Sequence, residues 1–320
     1  MLEMPFRKLG DSGLSVSLFS FGSWVTFGKQ LDKNNSKDCI KYAFENGVNF
    51  FDNAEVYALG ESEVLMGKAF RQLGLGRNEY VLTTKFYWGI EKRINFKNTL
   101  NRKYLMQAIE GSLKRLQTDF VDVAYCHRYD EETPISEICF AMDQMIRDGK
   151  ALYWGTSEWP ATAIDKAHTF AVENSLHRPI VEQPQYNLIH REKVEKEFSP
   201  LYTSMKLGLT TWSPLASGIL TGKYLNGIPK NSRASIPSLS YIKDEVKDPN
   251  TIKVAQKLHK ISKKSGISMA HLALGWCALN PNVSTVILGA SRLEQLKENM
   301  QTLKHLNDIK KLKAELDKIS

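Results

Sequence analysis

The sequence predicts an α/β protein whose strands and helices form a closed (β/α)8 barrel of the TIM type. Eight short apolar segments alternate with longer helical patterns along the chain. Strands that are almost wholly apolar are typical of parallel sheets buried on both faces. Eight successive strand–helix units fit a closed barrel better than an open sheet. The predicted strands are residues 16–22, 48–52, 80–85, 119–127, 151–157, 180–186, 208–215 and 284–291.

Helical patterns follow the predicted strands, and residues that end helices precede the next strand. Asn46-Gly47 and Asp148-Gly149 stand directly before two of the strands. Glycine and asparagine adopt the left-handed conformation that commonly ends a helix, so these pairs fit helix C-termini. The pattern predicts helices at about residues 36–46, 61–73, 102–116 and 135–149.

Two further elements are predicted outside the regular alternation. Residues 7–16 predict a small N-terminal β-hairpin with Asp11 to Gly13 in its turn, which we place across the barrel floor. Residues 216–250 contain too many turn residues for a simple connection, and long connections of this kind are often functional. No Pro- or Ser-rich linker divides the chain, so residues 1–320 predict a single domain.

A doubly wound open sheet is the competing architecture. That fold usually carries a G-x-G-x-x-G phosphate-binding turn after its first strand. The corresponding stretch here reads FSFGSW, residues 19–24, and lacks that fingerprint. The barrel is therefore the better interpretation.

Composition describes an ordinary globular chain of 320 residues, with 42% hydrophobic and 24% charged residues. The net charge is +8, but the lysines are scattered, which favours solvated helix faces over a nucleic-acid partner. No segment resembles a signal peptide or a membrane span, so we predict a cytoplasmic protein without direct membrane insertion. Reduced, buried thiols are expected because neither C-x-x-C spacing nor a metal-ligand pattern occurs among Cys39, Cys126, Cys139 and Cys277.

Reactive side chains stand at or just after the ends of three neighbouring predicted strands. Asp52 ends the second strand, and Tyr57 lies in the loop that follows it. Lys85 ends the third strand and His127 ends the fourth. Each residue alone fits a cap or a core position, but strand C-termini converge on one face of a barrel. The four together predict a catalytic site.

The chemistry of these side chains suits carbonyl reduction. A tyrosine titrates near about 10 in water, and a nearby lysine ammonium is expected to lower that pKa. Asp52 would keep Lys85 charged and in place. Tyr57 could then donate a proton to a developing alkoxide, which is worth roughly 10²–10⁴ in rate. His127 would orient the substrate oxygen.

The hydride for such a reduction must come from a cofactor, and two segments suit one. Residues 212–215 end the seventh strand, and residues 289–299 end the eighth strand and open a helix. A helix N-terminus of this kind suits a phosphate group. Lys223, Arg233 and Arg292 are basic residues near these segments.

Several motifs of the chain resemble the aldo-keto reductase family: FFDNAEVY, LTTK, YWGTS, WSPLASGILTGKY, NSRAS and ILGASRLEQLKEN. SWVTFG near the start and REKVE at 191–195 resemble, more narrowly, the branch that contains the β subunits of voltage-gated potassium channels. The resemblance runs from about Phe6 to Leu303. It implies a (β/α)8 barrel that binds NADPH in an extended form without a Rossmann motif.

The resemblance also implies roles for individual residues. Asp52, Tyr57, Lys85 and His127 would form the catalytic tetrad, with Tyr57 as the proton donor. Trp88 would roof the substrate pocket, although simple loop packing explains it equally well. From the first loop through the nicotinamide and pyrophosphate to the adenosine end, the implied cofactor-binding residues are Ser23, Trp24, Gln30, Asp52, Ser157, Gln183, Trp212, Ser213, Pro214, Leu215, Ala216, Ser217, Lys223, Arg233, Gly289, Ser291, Gln295, Glu298 and Asn299.

Three positions depart from the channel-subunit branch. His127 stands where those subunits have asparagine, which favours turnover over slow redox sensing. Glu158 stands in place of arginine and Asn231 in place of tyrosine, both in the cofactor-contacting set. The chain begins almost at the barrel, and we expect no N-terminal extension of the sort that plugs a pore.

Two functions follow from these features, and they are compatible. The leading hypothesis is an NADPH-dependent reductase of small carbonyl substrates. The alternative, which the resemblance implies, is an NADPH-binding regulatory subunit that forms a homotetramer on a potassium channel and turns over slowly. A barrel hydrolase or lyase is a weak third hypothesis, because the sequence has no metal cluster, G-x-S-x-G elbow or paired catalytic carboxylates.

Overall fold

Eight parallel strands close into a barrel in the computed structural model, which describes residues 3–24, 33–230, 232–235 and 240–319. The described strands are β1 (Phe6–Lys8), β2 (Ser15–Ser17), β3 (Phe19–Gly22), β4 (Phe50–Asp52), β5 (Val81–Phe86), β6 (Val121–Cys126), β7 (Ala151–Thr156), β8 (Val181–Glu182), β9 (Gly208–Thr211) and β10 (Val283–Leu288). Strands β3 to β10 follow one another around the barrel, and β10 closes it against β3. The predicted barrel and hairpin are confirmed.

Helices cover the outside of the barrel. In the described part of the chain, none of them has the length and apolar character required to cross a membrane. Their bounds are α1 (Lys33–Glu45), α2 (Glu61–Leu73), α3 (Arg102–Leu116), α4 (Ile135–Arg147), α5 (Ala161–Glu173), α6 (Ser199–Ser204), α7 (Ser240–Lys247), α8 (Pro249–Ser265), α9 (Met269–Ala278), α10 (Leu293–Met300) and α11 (Thr302–Leu316).

The stretch 16–22, predicted as one strand, forms parts of two. The chain changes partners at Leu18, because β2 pairs antiparallel with β1 whereas β3 pairs parallel with β4 and β10. The side chain of Asn49 holds the end of β2, since its Oδ1 accepts a hydrogen bond from the Ser17 backbone N–H at 2.8 Å. One apolar run thus supplies both the hairpin and the barrel, which periodicity alone does not separate.

The stretch 180–186 is shorter in the structure than predicted, because β8 ends at Glu182. Pro184 lacks the N–H that would continue the ladder. Its carbonyl still accepts a hydrogen bond from the Trp212 N–H at 3.1 Å, and Gln185 pairs with Trp212 as an isolated bridge. Trp212 is therefore fixed by backbone contacts just beyond the end of β9.

The region 216–250, predicted as an irregular connection, contains short helices. Residues Ala216–Thr221 and Arg233–Ser235 form 3₁₀-helices, and α7 follows them. Residues 231 and 236–239 lie outside the described residues, so the expectation for Asn231 is not addressed.

The N-terminal hairpin closes the floor of the barrel. The Arg7 guanidinium donates to three backbone carbonyls just before and at the start of β10, including that of Val283. Leu9 and Val16 pack with Phe50 and other side chains from the lower ends of the strands. The opposite end of the barrel, where the strands have their C-termini, is left for a site.

Gly10 offers a test of this closure. Its φ is +56°, and an added Cβ would lie 2.1 Å from the carbonyl oxygen of Ile180 and 2.9 Å from the amide nitrogen of Gly208. We expect Gly10→Ala to lower the free energy of unfolding by about 1–3 kcal/mol, because a left-handed backbone and a clash combine. Urea unfolding measures the change.

The matched control is Gly13→Ala in the same hairpin. A Cβ at Gly13 has no heavy atom within 4 Å, and its φ is not in the left-handed region. If both variants unfold at the same urea concentration as the parent protein, the hairpin does not depend on its seat against Ile180 and Gly208.

Candidate active site

A cavity of about 890 Å³ opens at the C-terminal ends of the strands. It collects side chains from loops far apart in sequence. The residues predicted from sequence that line it are Trp24, Asp52, Tyr57, Trp88, His127, Ser157, Gln183, Trp212, Ser213, Pro214, Leu215, Ser217, Lys223, Gly289, Ser291, Gln295, Glu298 and Asn299.

Three of the predicted site residues do not line the cavity, and the side chains of two others lie outside the described part of the chain. Lys85 is completely buried beneath the cavity, and Ala216 is buried beside it. Ser23 is also buried, and its N–H and Oγ both donate to the carbonyl oxygen that ends β4. Gln30 lies outside the described residues. Arg233 begins the short 3₁₀-helix after residue 231, and its side chain is not among those described.

The centre of the site is the ammonium group of Lys85. Its Nζ donates to Asp52 Oδ2 at 2.6 Å and to the carbonyl oxygen of Asn53 at 2.7 Å. A third, longer hydrogen bond of 3.3 Å reaches the hydroxyl of Tyr57. The three donors of the ammonium are thus directed to two fixed acceptors and to the phenol.

The carboxylate of Asp52 is itself held in place by a residue of the neighbouring strand β5 and by Gln183, which follows β8. Its Oδ1 accepts hydrogen bonds from Thr83 Oγ1 at 2.9 Å and from Gln183 Nε2 at 3.0 Å. The carbonyl of Gln183 accepts in turn from Ser157 Oγ at 2.9 Å. The residues at the ends of β4, β5, β7 and β8 therefore form one hydrogen-bonded set.

A tight turn brings Tyr57 over Lys85. Tyr57 begins a 3₁₀-helical turn in which Ala58 and Leu59 have φ values of 50° and 54°. Non-glycine residues rarely adopt this left-handed conformation, and such strain is typical of functional sites. Leu59 is largely exposed as a result, while the phenol faces inward to Lys85.

The pKa of Tyr57 corrects an expectation from sequence. Desolvation of the phenol, followed by the charge of Asp52, raises the pKa of Tyr57 well above its ordinary value, whereas a lowered pKa was expected. The reason is that Asp52 lies 2.6 Å from Lys85 and compensates its charge, so burial dominates. The phenol therefore stays protonated at neutral pH.

His127 is neutral for related reasons. Its burial, followed by the charges of Lys85 and Arg128, holds the pKa of the imidazole well below its ordinary value. Its ring meets those of Tyr57 and Trp88 edge-on, with centroids 5.9 and 6.4 Å away. The buried Nδ1 has no hydrogen-bond partner in the described structure. A neutral ring with one N–H is thus placed at the cavity wall.

Glu158 does not point into the cavity but fixes Trp212. Its Oε1 accepts from the indole Nε1 at 2.9 Å and from the backbone N–H of Gln185. Its Oε2 accepts from Lys193 Nζ at 3.0 Å. The ring of Trp24 packs edge-on against the same indole, with 5.9 Å between the ring centroids. The ring of Trp212 therefore has a defined orientation at one wall of the cavity.

The wall beyond Trp212 can hold phosphate groups. Gly218 has φ of +95°, and a Cβ there would lie 2.3 Å from Lys223 Nζ, so the Lys223 side chain lies directly against this glycine. Lys223 has no carboxylate within 4.0 Å in the described part of the chain. Helix α10 begins across the cavity, where Ser291 donates twice to Gln295 Oε1. An unpaired cation opposite a helix N-terminus suits an anion.

A family model described as "Aldo/keto reductase family" matches residues 19–319. The chain belongs to the aldo/keto reductase family. Proteins of this family are oxidoreductases that generally bind NAD(P)H. The wall with Lys223 and the start of α10, the oriented indole and the Lys85 group fit that cofactor class.

Three relatives of this aldo/keto reductase family member carry the names of channel subunits. A "Probable voltage-gated potassium channel subunit beta" of Oryza sativa subsp. japonica is 50% identical over 94% of this chain and 91% of the relative. One of the same name in Arabidopsis thaliana is 49% identical with the same coverage. A "Putative voltage-gated potassium channel subunit beta" of Schizosaccharomyces pombe is 43% identical over 96% and 90%.

Some cavity residues of this chain were not predicted from its sequence. Arg128 and Glu294 stand beside predicted residues, His127 and Gln295, and adjacency was the available signal. The other missed residues either stand next to predicted residues in the same way or reach the cavity through tertiary packing; they are Gly22, Val56, Ala58, Gly218, Thr221, Ser232, Ala270, Leu274, Ile287 and Leu288.

Another buried carboxyl group, that of Glu182 on β8, lies outside the cavity. Glu182 is completely buried and accepts a hydrogen bond from Thr156 Oγ1, while its Oε1 has no partner in the described structure. Burial raises the pKa of Glu182 to about 8 from its ordinary 4.5. The folded protein therefore holds a proton at neutral pH that the unfolded chain releases.

The stability of the protein should fall as pH rises because of this group. The contribution of Glu182 is fully present below pH 4.5 and is lost as pH rises through about 8, since the folded state binds the extra proton. We expect Glu182→Gln to remove that part of the slope of unfolding free energy against pH. Urea unfolding at several pH values between about 5 and 9 measures it.

Glu192→Gln is the control, because the Glu192 side chain is 82% exposed and pairs with an equally exposed Lys196. The free energy of unfolding of this control variant should change with pH by the same amount as that of the parent protein. If Glu182→Gln does the same, Glu182 is ionised in the folded state and the expected coupling is wrong.

Proposed function

We propose that this chain is an NADPH-dependent reductase of aldehydes or ketones, with Tyr57 as the proton donor. The observation that carries the proposal is the phenol of Tyr57 within 3.3 Å of Lys85, itself paired with Asp52 at 2.6 Å. A protonated phenol beside a fixed cation, at the wall of a large cavity, suits protonation of a carbonyl oxygen.

The cavity walls support nicotinamide binding near this group. Trp212 presents an oriented ring for stacking, and Ser157 and Gln183 lie beside it with polar side chains. Lys223 and the start of α10 would hold the phosphates. When bound, the reduced nicotinamide supplies a hydride to the carbonyl carbon of the substrate.

Tyr57 supplies the matching proton. As the hydride adds to the carbonyl carbon, the electrons of the C=O π bond move to oxygen, which takes the phenolic proton and becomes an alcohol. The phenolate that remains is stabilised by the Lys85 hydrogen bond, and Asp52 favours the charged form of that lysine. Solvent returns the proton. His127 as a neutral donor stabilises the charge that develops on the substrate oxygen.

Tyr57→Phe tests the assignment. We expect turnover of an aldehyde to fall by roughly 10²–10⁴ because the proton donor is lost. NADPH affinity, measured by fluorescence titration, should be retained, because the variant removes one oxygen and leaves Trp212 and Lys223 in place. Turnover is followed as the loss of reduced-nicotinamide absorbance with 4-nitrobenzaldehyde, and a parallel titration with NADH measures the cofactor preference.

Tyr153→Phe is the matched control, because Tyr153 packs against the apolar cluster that contains Leu9, Val16 and Phe50, at the other end of the barrel. It should keep parent activity. A Tyr57→Phe protein that binds NADPH and reduces the aldehyde at the parent rate would remove Tyr57 from the mechanism.

A second candidate function is favoured by the names of the relatives. At 43–50% identity they are named as potassium channel β subunits, so a channel-associated, homotetrameric regulatory role with slow turnover is the alternative proposal. We also propose a cytoplasmic location, since the four cysteines are free and buried, as expected in a reducing compartment.

Counting turnovers separates the two candidates. A reductase should complete many turnovers per site with excess NADPH and 4-nitrobenzaldehyde. A regulatory subunit should bind NADPH tightly, stop after about one turnover because the oxidised cofactor is retained, and co-purify with a channel from membranes of its source. Many turnovers without co-purification would exclude the regulatory candidate.

A further inference from the structure

Arg128 lies at the catalytic end of the cavity but has no assigned role. It follows His127 at the end of β6, is half-buried, and lines the cavity. Its guanidinium carbon lies 5.6 Å from the centre of the Trp88 ring, within the range of a cation–π contact. Arg128 and Tyr57 therefore line the same cavity.

The charge of Arg128 has no protein counter-ion in the described part of the chain. No carboxylate there lies within 4.0 Å of the guanidinium. Asp52 is paired with Lys85, and Asp130 accepts from Thr133 and from backbone N–H groups. Burial raises the pKa of Glu55 to about 8, so that carboxyl group is neutral at pH 7. A half-buried cation without a partner favours an anionic ligand.

The hydrogen bonds of the guanidinium leave one edge free. Nη1 donates to the carbonyl oxygen of His127 and, at 3.5 Å, to Ser157 Oγ. Nε and Nη2 donate to nothing in the described structure. These two nitrogens form the side-on pair that binds both oxygens of a carboxylate.

We propose that Arg128 is a substrate-recognition residue and that the preferred substrates are short carbonyl compounds carrying a carboxylate. The inference rests on the proposed reductase function and names its substrate class. With the carbonyl oxygen at Tyr57 and His127, the carboxylate would meet Nε and Nη2 beside Trp88. A single guanidinium suits a substrate with a single negative charge. The other cationic side chain that lines the described cavity is that of Lys223, which lies on the segment after β9 and is proposed above to hold the cofactor phosphates.

An electrostatic role without recognition would have a different signature. Arg128 also acts to lower the pKa of both Tyr57 and His127. Its removal through that route would change the reduction of every substrate by a similar factor. Recognition of a carboxylate would instead change the ratio of kcat/KM for a charged substrate to kcat/KM for its neutral counterpart. That ratio therefore distinguishes the two roles.

The experiment compares succinic semialdehyde with its methyl ester, methyl 4-oxobutanoate, using NADPH. The parent protein should prefer the free acid by roughly 10–100-fold in kcat/KM, the range expected for hydrogen bonds to a charged group. Arg128→Gln should lower that ratio at least about 10-fold, mainly through KM for the acid. Arg128→Lys, which keeps the charge but not the planar pair, should give an intermediate ratio.

Arg102→Gln is the control, since Arg102 is exposed at the start of α3 and outside the cavity lining. It makes the same change in net charge and should keep the parent ratio. NADPH titration checks that each variant is folded.

The outcomes separate the two proposals. If the parent protein reduces the ester as well as the acid, or if Arg128→Gln leaves the ratio unchanged, recognition by Arg128 is wrong while the reductase stands. If the parent protein binds NADPH and reduces neither compound nor 4-nitrobenzaldehyde, the reductase proposal fails, and the recognition proposal falls with it.

Discussion

The buried ion pair between Lys85 and Asp52 is the interaction around which the site is built. Lys85 is completely buried, so its ammonium depends on the 2.6 Å contact with the carboxylate and on the carbonyl of Asn53. Removing one partner of such a pair typically costs about 3–5 kcal/mol, because the other charge is left without compensation. The hydrogen bonds from Thr83 and Gln183 then extend the pair around the barrel.

The two ends of the barrel differ in structure: one is closed by the hairpin, and the other carries the cavity. The hairpin seals the floor with Arg7 and an apolar cluster, so stability is concentrated where no ligand is needed. The polar side chains of the cavity lie at the other end, together with positive-φ positions such as Ala58 and Glu158. This separation lets loops at the open end vary without disturbing the closure of the sheet.

Sequence reasoning predicted the fold and the gathering of Asp52, Tyr57, Lys85 and His127 at one end of the barrel, because both follow from strand ends. Apolar runs mark buried parallel strands, and Asp52 or Lys85 at such an end is conspicuous. It did not anticipate the change of partner at Leu18, which depends on Asn49, or the raised pKa of Tyr57, which depends on the compensation of a neighbouring charge. Arg128 was missed because its free edge exists only in three dimensions.

The anchoring of Trp212 limits what the indole can do for any ligand. A tryptophan side chain has a single N–H donor, and here Glu158 has already taken it. Only the flat π faces remain, and stacking on a face is insensitive to rotation of the stacked ring about its normal. The rotational setting of a stacked aromatic ring would therefore have to come from polar groups at its edge, and Ser157 and Gln183 are polar residues that line the same cavity.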